Sequence, residues 1–120
     1  YEISACLVGS EMCIRDRMDI EQYGTRVRKV ASRFIRSDEE PAMMEGDEVY
    51  ALLLHWSAKE ALFKLMGVEE VDFIRHLRIF PFSLSEEGEF EACEYRTGRQ
   101  ERYRVRYVTH PDFVLTWIIK

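Results

Sequence analysis

The chain has 120 residues, of which 47% are hydrophobic and 12% aromatic, enough for one domain with a hydrophobic core. This composition excludes general disorder, and the formal net charge of −5 argues against a dedicated DNA-binding domain. The cysteines form no CxxC motif, which disfavours a disulfide framework or a zinc site and favours a reducing, cytoplasmic location. No apolar run approaches the ~18 residues that a membrane span needs.

Residues 1–17 differ from the rest of the chain, because they show neither a helical nor a strand periodicity that continues beyond them. We interpret this segment as non-native, with an upstream part of the native protein missing. The alternative is an ordinary N-terminal strand and turn. On the first interpretation the chain is truncated, and residues 18–120 form a single lobe.

A short strand is predicted over Met18–Gln22, followed by a helix. Alternate side chains of a strand share a face, so Asp19 and Glu21 are expected to point the same way. Thr25 can cap the helix, which is predicted to run to about Arg36. One side of this helix carries only basic charges, on Arg26, Arg28, Lys29, Arg33 and Arg36.

A long helix is predicted over Glu48–Met66, ended by Gly67. It is apolar nearly all round, which is typical of a central, buried helix. Glu60 interrupts one of its apolar stripes, and burying a carboxylate there costs several kcal/mol without compensation. The compensating partner can be a cation, a lysine or a proton, and an ordinary ion pair with Lys64 or Lys59 is one such alternative.

From Leu77 onward the hydrophobic period changes to two, which predicts strands. The predicted strands are Leu77–Phe82, Glu89–Tyr95, a third around Tyr103–Tyr107, and Phe113–Ile119. Consecutive strands that follow the helices along the chain indicate an α+β fold, with helices packed on a mostly antiparallel sheet.

Three carboxylates in these elements suggest a metal site. If Asp19, Glu21 and Glu60 converged they would repel each other, and a divalent cation is the usual remedy. Lys64 shares a helix face with Glu60, and Lys59 lies ~100° round the helix from it. With magnesium on Glu60, both lysines could grip phosphate oxygens and neutralise charge on a departing phosphate.

These residues resemble the signature of the 4′-phosphopantetheinyl transferase superfamily, a glycine-x-aspartate-x-glutamate strand followed by a W-x-x-K-E-A-x-x-K helix. Here the signature corresponds to Asp19–Glu21, Trp56–Ala61 and Lys64. The segment Arg33–Glu39 also resembles the stretch between the two motifs in that family. The spacing of the motifs and the tryptophan at position 56 resemble the two-lobed, surfactin-synthetase-activating type.

The resemblance implies a transfer of 4′-phosphopantetheine from coenzyme A to a serine of an acyl or peptidyl carrier protein. It implies Asp19, Glu21 and Glu60 as magnesium ligands, and Lys59 and Lys64 as contacts of coenzyme A. Glu60 and Lys64 are the implied catalytic residues, with Glu60 helping to deprotonate the attacking serine. A supporting role is suggested for Glu39, and the basic helix side is either solvated or a dock for an acidic carrier protein.

Two departures from the family pattern affect these expectations. Arg17 stands where the family has glycine, and the N-terminal lobe of the two-lobed enzymes is absent here. We therefore expect impaired transfer activity. The alternatives are a non-catalytic fragment or pairing lobe, and a metal-dependent nuclease. No nucleic-acid or membrane partner is expected.

Overall fold

The computed structural model describes residues 17–39, 41, 47–67 and 69–119, so most of the segment 1–17 lies outside the described residues. The elements in chain order are β1 (Met18–Gln22), α1 (Val27–Val30), a 3₁₀ helix (Ala31–Arg33), α2 (Glu48–Met66), β2 (Leu77–Ile79), β3 (Glu87–Glu94), β4 (Arg102–His110) and β5 (Phe113–Ile118). The five strands form one sheet in the order β1-β5-β4-β3-β2, and every neighbouring pair is antiparallel. The predicted α+β class is confirmed.

The central helix α2 has the predicted bounds. Asp47 caps its N-terminus by accepting a hydrogen bond from Val49 N at 2.8 Å. Gly67 ends it with φ of 62°, a left-handed conformation that glycine adopts without steric cost. Because both ends carry local signals, the helix boundaries followed from the sequence.

Helix α2 packs across the sheet, mainly against β5 and β1. Leu54, Ala58 and Ala61 are fully buried, as expected for a helix that is apolar on several sides. The sheet contributes the other half of the core through alternate positions of its strands, among them Ile79, Phe90, Val105, Tyr107, Val114 and Ile118. Within the described ranges, no helix combines the length and apolar composition required to cross a membrane.

The predicted helix from Thr25 to Arg36 is wrong in its extent. Helix α1 covers only Val27–Val30, and the chain then tightens into the 3₁₀ helix. Its N-terminus has no side-chain cap and no acidic residue in the first turn, while its last turn is basic. Phe34 instead leaves the helix, with φ of −139°, and is fully buried in the core.

The strands differ from their predicted limits by a few residues. Strand β2 ends at Ile79 rather than Phe82; Phe80 N still donates to Glu91 O at 2.9 Å, and Pro81 follows it. Strand β4 is longer than predicted, and its arginines alternate with buried positions as expected. Arg102 and Arg104 form ion pairs with Glu91 and Glu89 on the exposed face of β3.

Candidate active site

Strand β1 presents Asp19 and Glu21 to helix α2. In the sheet register, Asp19 lies opposite Thr116 and Glu21 opposite Val114, two buried residues on the helix side of β5. Ser57 Oγ on α2 donates to the main-chain oxygen of Asp19 at 3.2 Å and lies 2.8 Å from Thr116 Oγ1. These contacts fix the helix directly over the acidic edge of the sheet.

Glu60 and Lys64 continue along the same side of α2 from Ser57, at helical spacings of three and four. Lys64 Nζ donates to the main-chain oxygen of Met18 and lies 3.7 Å from Asp19 Oδ1. The Lys64 side chain is 41% exposed, whereas that of Asp19 is 12% exposed. The Lys64 side chain therefore lies on the solvent-exposed side of Asp19.

The charge of Asp19 affects the protonation of both glutamates in this group. Burial and the negative charges of Asp19 and Glu60 raise the pKa of Glu21 to about 8. Burial and the charge of Asp19 also raise the pKa of Glu60 above its ordinary value, while Lys64 opposes this shift. In the absence of a cation, part of the charge in this group is therefore neutralised by protons.

The donor set fits a hard divalent cation such as magnesium, which prefers carboxylate oxygens. Asp19 Oδ2 is buried without a hydrogen-bond partner, so one oxygen of the group is left unsatisfied. Across the part of the chain that the structure describes, no three His, Cys, Asp or Glu side chains are grouped closely enough to hold a metal as they stand. Side-chain adjustment would thus be required to complete a coordination sphere.

Trp56 connects the acidic group to the hydrophobic core. Its ring packs against Phe34 and Phe73, with centroid distances of 5.1 and 5.4 Å. The Trp56 side chain also lines a cavity together with Glu21, where it opposes the rise in the pKa of that carboxyl group. Sequence analysis missed this second role, although Trp56 lies one turn before Glu60 and therefore shares its helix side.

Lys59 lies in an environment that the sequence did not predict. Its side chain is fully buried, and its ammonium group donates to Glu39 Oε1 at 2.8 Å and to the main-chain oxygens of Phe34 and Phe73 at 2.6 and 3.1 Å. Burial lowers the pKa of Lys59, and the charge of Glu39 opposes this shift. All three ammonium donors are thus used inside the protein, and the predicted contact of Lys59 with coenzyme A stays a prediction.

Two cavities lie on either side of Trp56 and share Val30 as a wall. One, of about 330 Å³, opens beside Glu21 and has Arg26 at its edge. The other, of about 550 Å³, is lined by Phe34, Trp56 and Phe73. A substrate that approached the carboxyl groups would therefore meet a mainly apolar surface with basic side chains at its margin.

Among the comparisons with known proteins, a family model matches the chain. Neither the curated proteins nor the solved structures gave a match to the chain. The family model of the 4′-phosphopantetheinyl transferase superfamily, however, matches residues 18–118. Because this match covers nearly all of the sequence, the chain belongs to the 4′-phosphopantetheinyl transferase superfamily.

Proposed function

We propose that this protein transfers 4′-phosphopantetheine from coenzyme A to a serine of an acyl or peptidyl carrier protein, in a magnesium-dependent reaction. The observation that carries the proposal is the placement of Asp19 and Glu21 on β1 beside Lys64 and Glu60 of α2, where the charge of Asp19 helps to raise the pKa of both glutamates. Groups perturbed in this way cluster at functional sites. Family membership supplies the reaction class.

Asp19, Glu21 and Glu60 are the residues that would hold magnesium. When bound, the ion supplies positive charge that offsets the negative charge of the pyrophosphate. Lys64 is partly exposed beside Asp19, so its ammonium group is available to a phosphate oxygen of coenzyme A. Its position supports both the binding and the catalytic role that the sequence suggests.

In the proposed step, the serine oxygen of the carrier protein attacks the phosphorus that bears the pantetheine arm. A new phosphorus–oxygen bond forms, and the bond to the departing adenosine 3′,5′-bisphosphate breaks. The serine proton moves to Glu60, which acts as the general base. Glu60 therefore acts on the nucleophile, while Lys64 acts on the phosphate.

The test is to incubate the chain with coenzyme A, magnesium and an apo carrier protein, and to measure the carrier by intact-protein mass spectrometry. We expect the mass of one phosphopantetheine to be added, and Glu60→Gln to slow the addition by about 10²-fold or more. Glu87→Gln, on an exposed position of β3, is the matched control and should be unchanged. Wild-type rates in the Glu60 variant would contradict the assignment.

A second candidate is a lobe that binds or pairs without turnover. It is favoured by the spacing of the carboxyl groups, since among the described residues no three are grouped closely enough to hold a metal. In the same assay, magnesium-dependent binding of coenzyme A without any added mass on the carrier would identify this case. Nucleic-acid cleavage with neither result would indicate the nuclease alternative instead.

A further inference from the structure

The ion pair between Lys59 and Glu39 lies next to the candidate active site but does not face it. Both side chains have no exposed surface, and the Nζ–Oε1 distance is 2.8 Å. A buried pair of this kind needs further hydrogen bonds to offset the loss of hydration. The arrangement of those bonds indicates what the pair holds together.

Glu39 uses both carboxylate oxygens. Oε1 accepts from Arg36 N at 2.8 Å in addition to Lys59, and Oε2 accepts from Ile79 N at 2.6 Å. Lys59 also donates to the main-chain oxygens of Phe34 and Phe73. The pair thereby joins α2 to two segments that are distant in sequence, residues 34–39 and residues 73–79, the second of which ends in β2.

A second contact joins the same two segments. Arg36 Nη1 donates to the main-chain oxygens of Ile74 and Arg75 at 2.6 and 3.1 Å. The guanidinium group also lies 5.0 Å from the centre of the Tyr95 ring. Residues 34–39 and 73–79 are therefore connected at two positions. One is the buried Lys59–Glu39 pair, and the other is the partly exposed Arg36.

The residues whose main-chain oxygens Lys59 binds are the same residues whose rings pack on Trp56. Phe34 and Phe73 each have ring centroids within 5.4 Å of the Trp56 ring. Trp56 in turn lines the cavity that opens beside Glu21. A continuous set of contacts thus runs from the buried ion pair to the wall of the cavity at the candidate site.

We infer that Lys59 is a positioning residue: paired with Glu39, it fixes Phe34 and Phe73 so that their rings hold Trp56 in the wall of the cavity beside Glu21. This inference rests on the proposed function for the importance of Glu21. It assigns Lys59 a role through the protein interior, in place of direct contact with a phosphate of coenzyme A. The position of Trp56 can then be followed directly through its fluorescence.

The test compares Lys59→Met with the double variant Lys59→Met/Glu39→Leu, both in a Trp117→Phe background so that Trp56 is the only tryptophan. The single variant leaves a buried carboxylate without its cation, so Tm should fall by more than about 10 °C. The double variant removes both charges, and we expect it to recover at least half of that loss.

Trp56 fluorescence and kinetics separate positioning from stability. Neither variant can bind the carbonyls of Phe34 and Phe73, so both should show a red-shifted emission and stronger acrylamide quenching. We expect kcat to fall about 10-fold in both, with the KM for coenzyme A within about 2-fold of the parent. Glu94→Leu, which removes a buried carboxylate elsewhere in the protein, should lower Tm without moving the Trp56 emission.

Two results would overturn the inference. Full recovery of Trp56 emission and kcat in the double variant would show that the pair only stabilises the fold. A raised KM for coenzyme A with unchanged Tm and emission would show direct phosphate binding by Lys59. The fluorescence readout requires no turnover, so a chain without transferase activity would refute the proposed function while the emission still decides the positioning of Trp56.

Discussion

Glu21 and Glu94 are two partly or fully buried carboxyl groups with opposite electrostatic behaviour. Glu94 is only 1% exposed, and burial alone would raise its pKa, yet hydrogen bonds from Thr97 and Glu101 lower it below the ordinary value. Glu21 is less buried, but its pKa is raised to about 8. Burial is the largest cause of the raised pKa of Glu21, whereas at Glu94 the hydrogen bonds together outweigh burial.

The residues that surround Glu94 and Glu21 also have different roles. The donors around Glu94 all come from the turn between β3 and β4, so the ionised carboxylate closes that turn. Glu21 faces Asp19 and Glu60, whose negative charges raise its pKa further. A site that is unfavourable for its own charges is suited to a positively charged ligand.

The largest expected effect is that the two substitutions have opposite consequences: one at Glu21 lowers activity, and one at Glu94 lowers stability. Glu21→Gln should reduce phosphopantetheine transfer by about 10²-fold or more, because a proposed metal ligand is lost, without lowering the stability of the metal-free protein. Glu94→Gln should leave transfer unchanged but cost about 2 kcal/mol of unfolding free energy, because charge-assisted hydrogen bonds are lost. Transfer rates by mass spectrometry and urea unfolding measure both effects.

The comparison would fail if both variants lost activity in proportion to their loss of stability. In that case the acidic group at β1 and α2 would be another structural network. A stable but inactive Glu21→Gln beside an active but weakened Glu94→Gln would separate the two roles.

A smaller effect is expected in the pH dependence of stability. The folded state keeps the Glu21 proton up to about pH 8, whereas the unfolded chain releases it near the ordinary glutamate pKa of 4.5. The folded state therefore binds more protons between these values, so the free energy of unfolding should fall as pH rises from about 4.5 to 8. Glu21→Gln should flatten this slope in metal-free urea titrations.

Glu94 gives the opposite sign. Its pKa is lowered on folding, so its stabilising contribution is present above the ordinary glutamate value and is lost as the pH falls through the folded value.

Magnesium should raise Tm most at the alkaline end of the range, where the Glu21 proton is no longer in competition with it. An equal magnesium effect on Glu21→Gln would contradict the proposed site.

The parts of the fold that carry local signals could be predicted from the sequence. Helix α2 has a capping aspartate and a terminal glycine, and β1 carries its two acidic residues on one face, so both elements had the correct bounds. Helix α1 was predicted too long because its apolar positions suit a helix, while the fold instead buries Phe34 outside it. Tertiary burial overrode local propensity there.

The environment of Lys59 could not be derived from helical periodicity. Helix α2 is apolar on several sides, so the pattern did not distinguish the side facing the acidic strand from the side facing residues 34–39. Its partner Glu39 comes from an irregular segment 20 residues away, where no periodicity predicts a contact. By contrast, Glu60 and Lys64 share a helix side, and that spacing was sufficient to place them together.

The smallest expected effect concerns the carrier protein. Arg26, Lys29 and Arg33 are exposed near the cavities beside Trp56, a position that supports the proposed dock for an acidic partner. Arg33→Glu should raise the KM for the carrier about 3- to 10-fold at low ionic strength, leave kcat unchanged, and lose most of its effect at high salt. Arg99→Glu changes the net charge equally but lies at the distant β3–β4 turn, so an equal rise there would mean that overall charge, rather than this surface, attracts the partner.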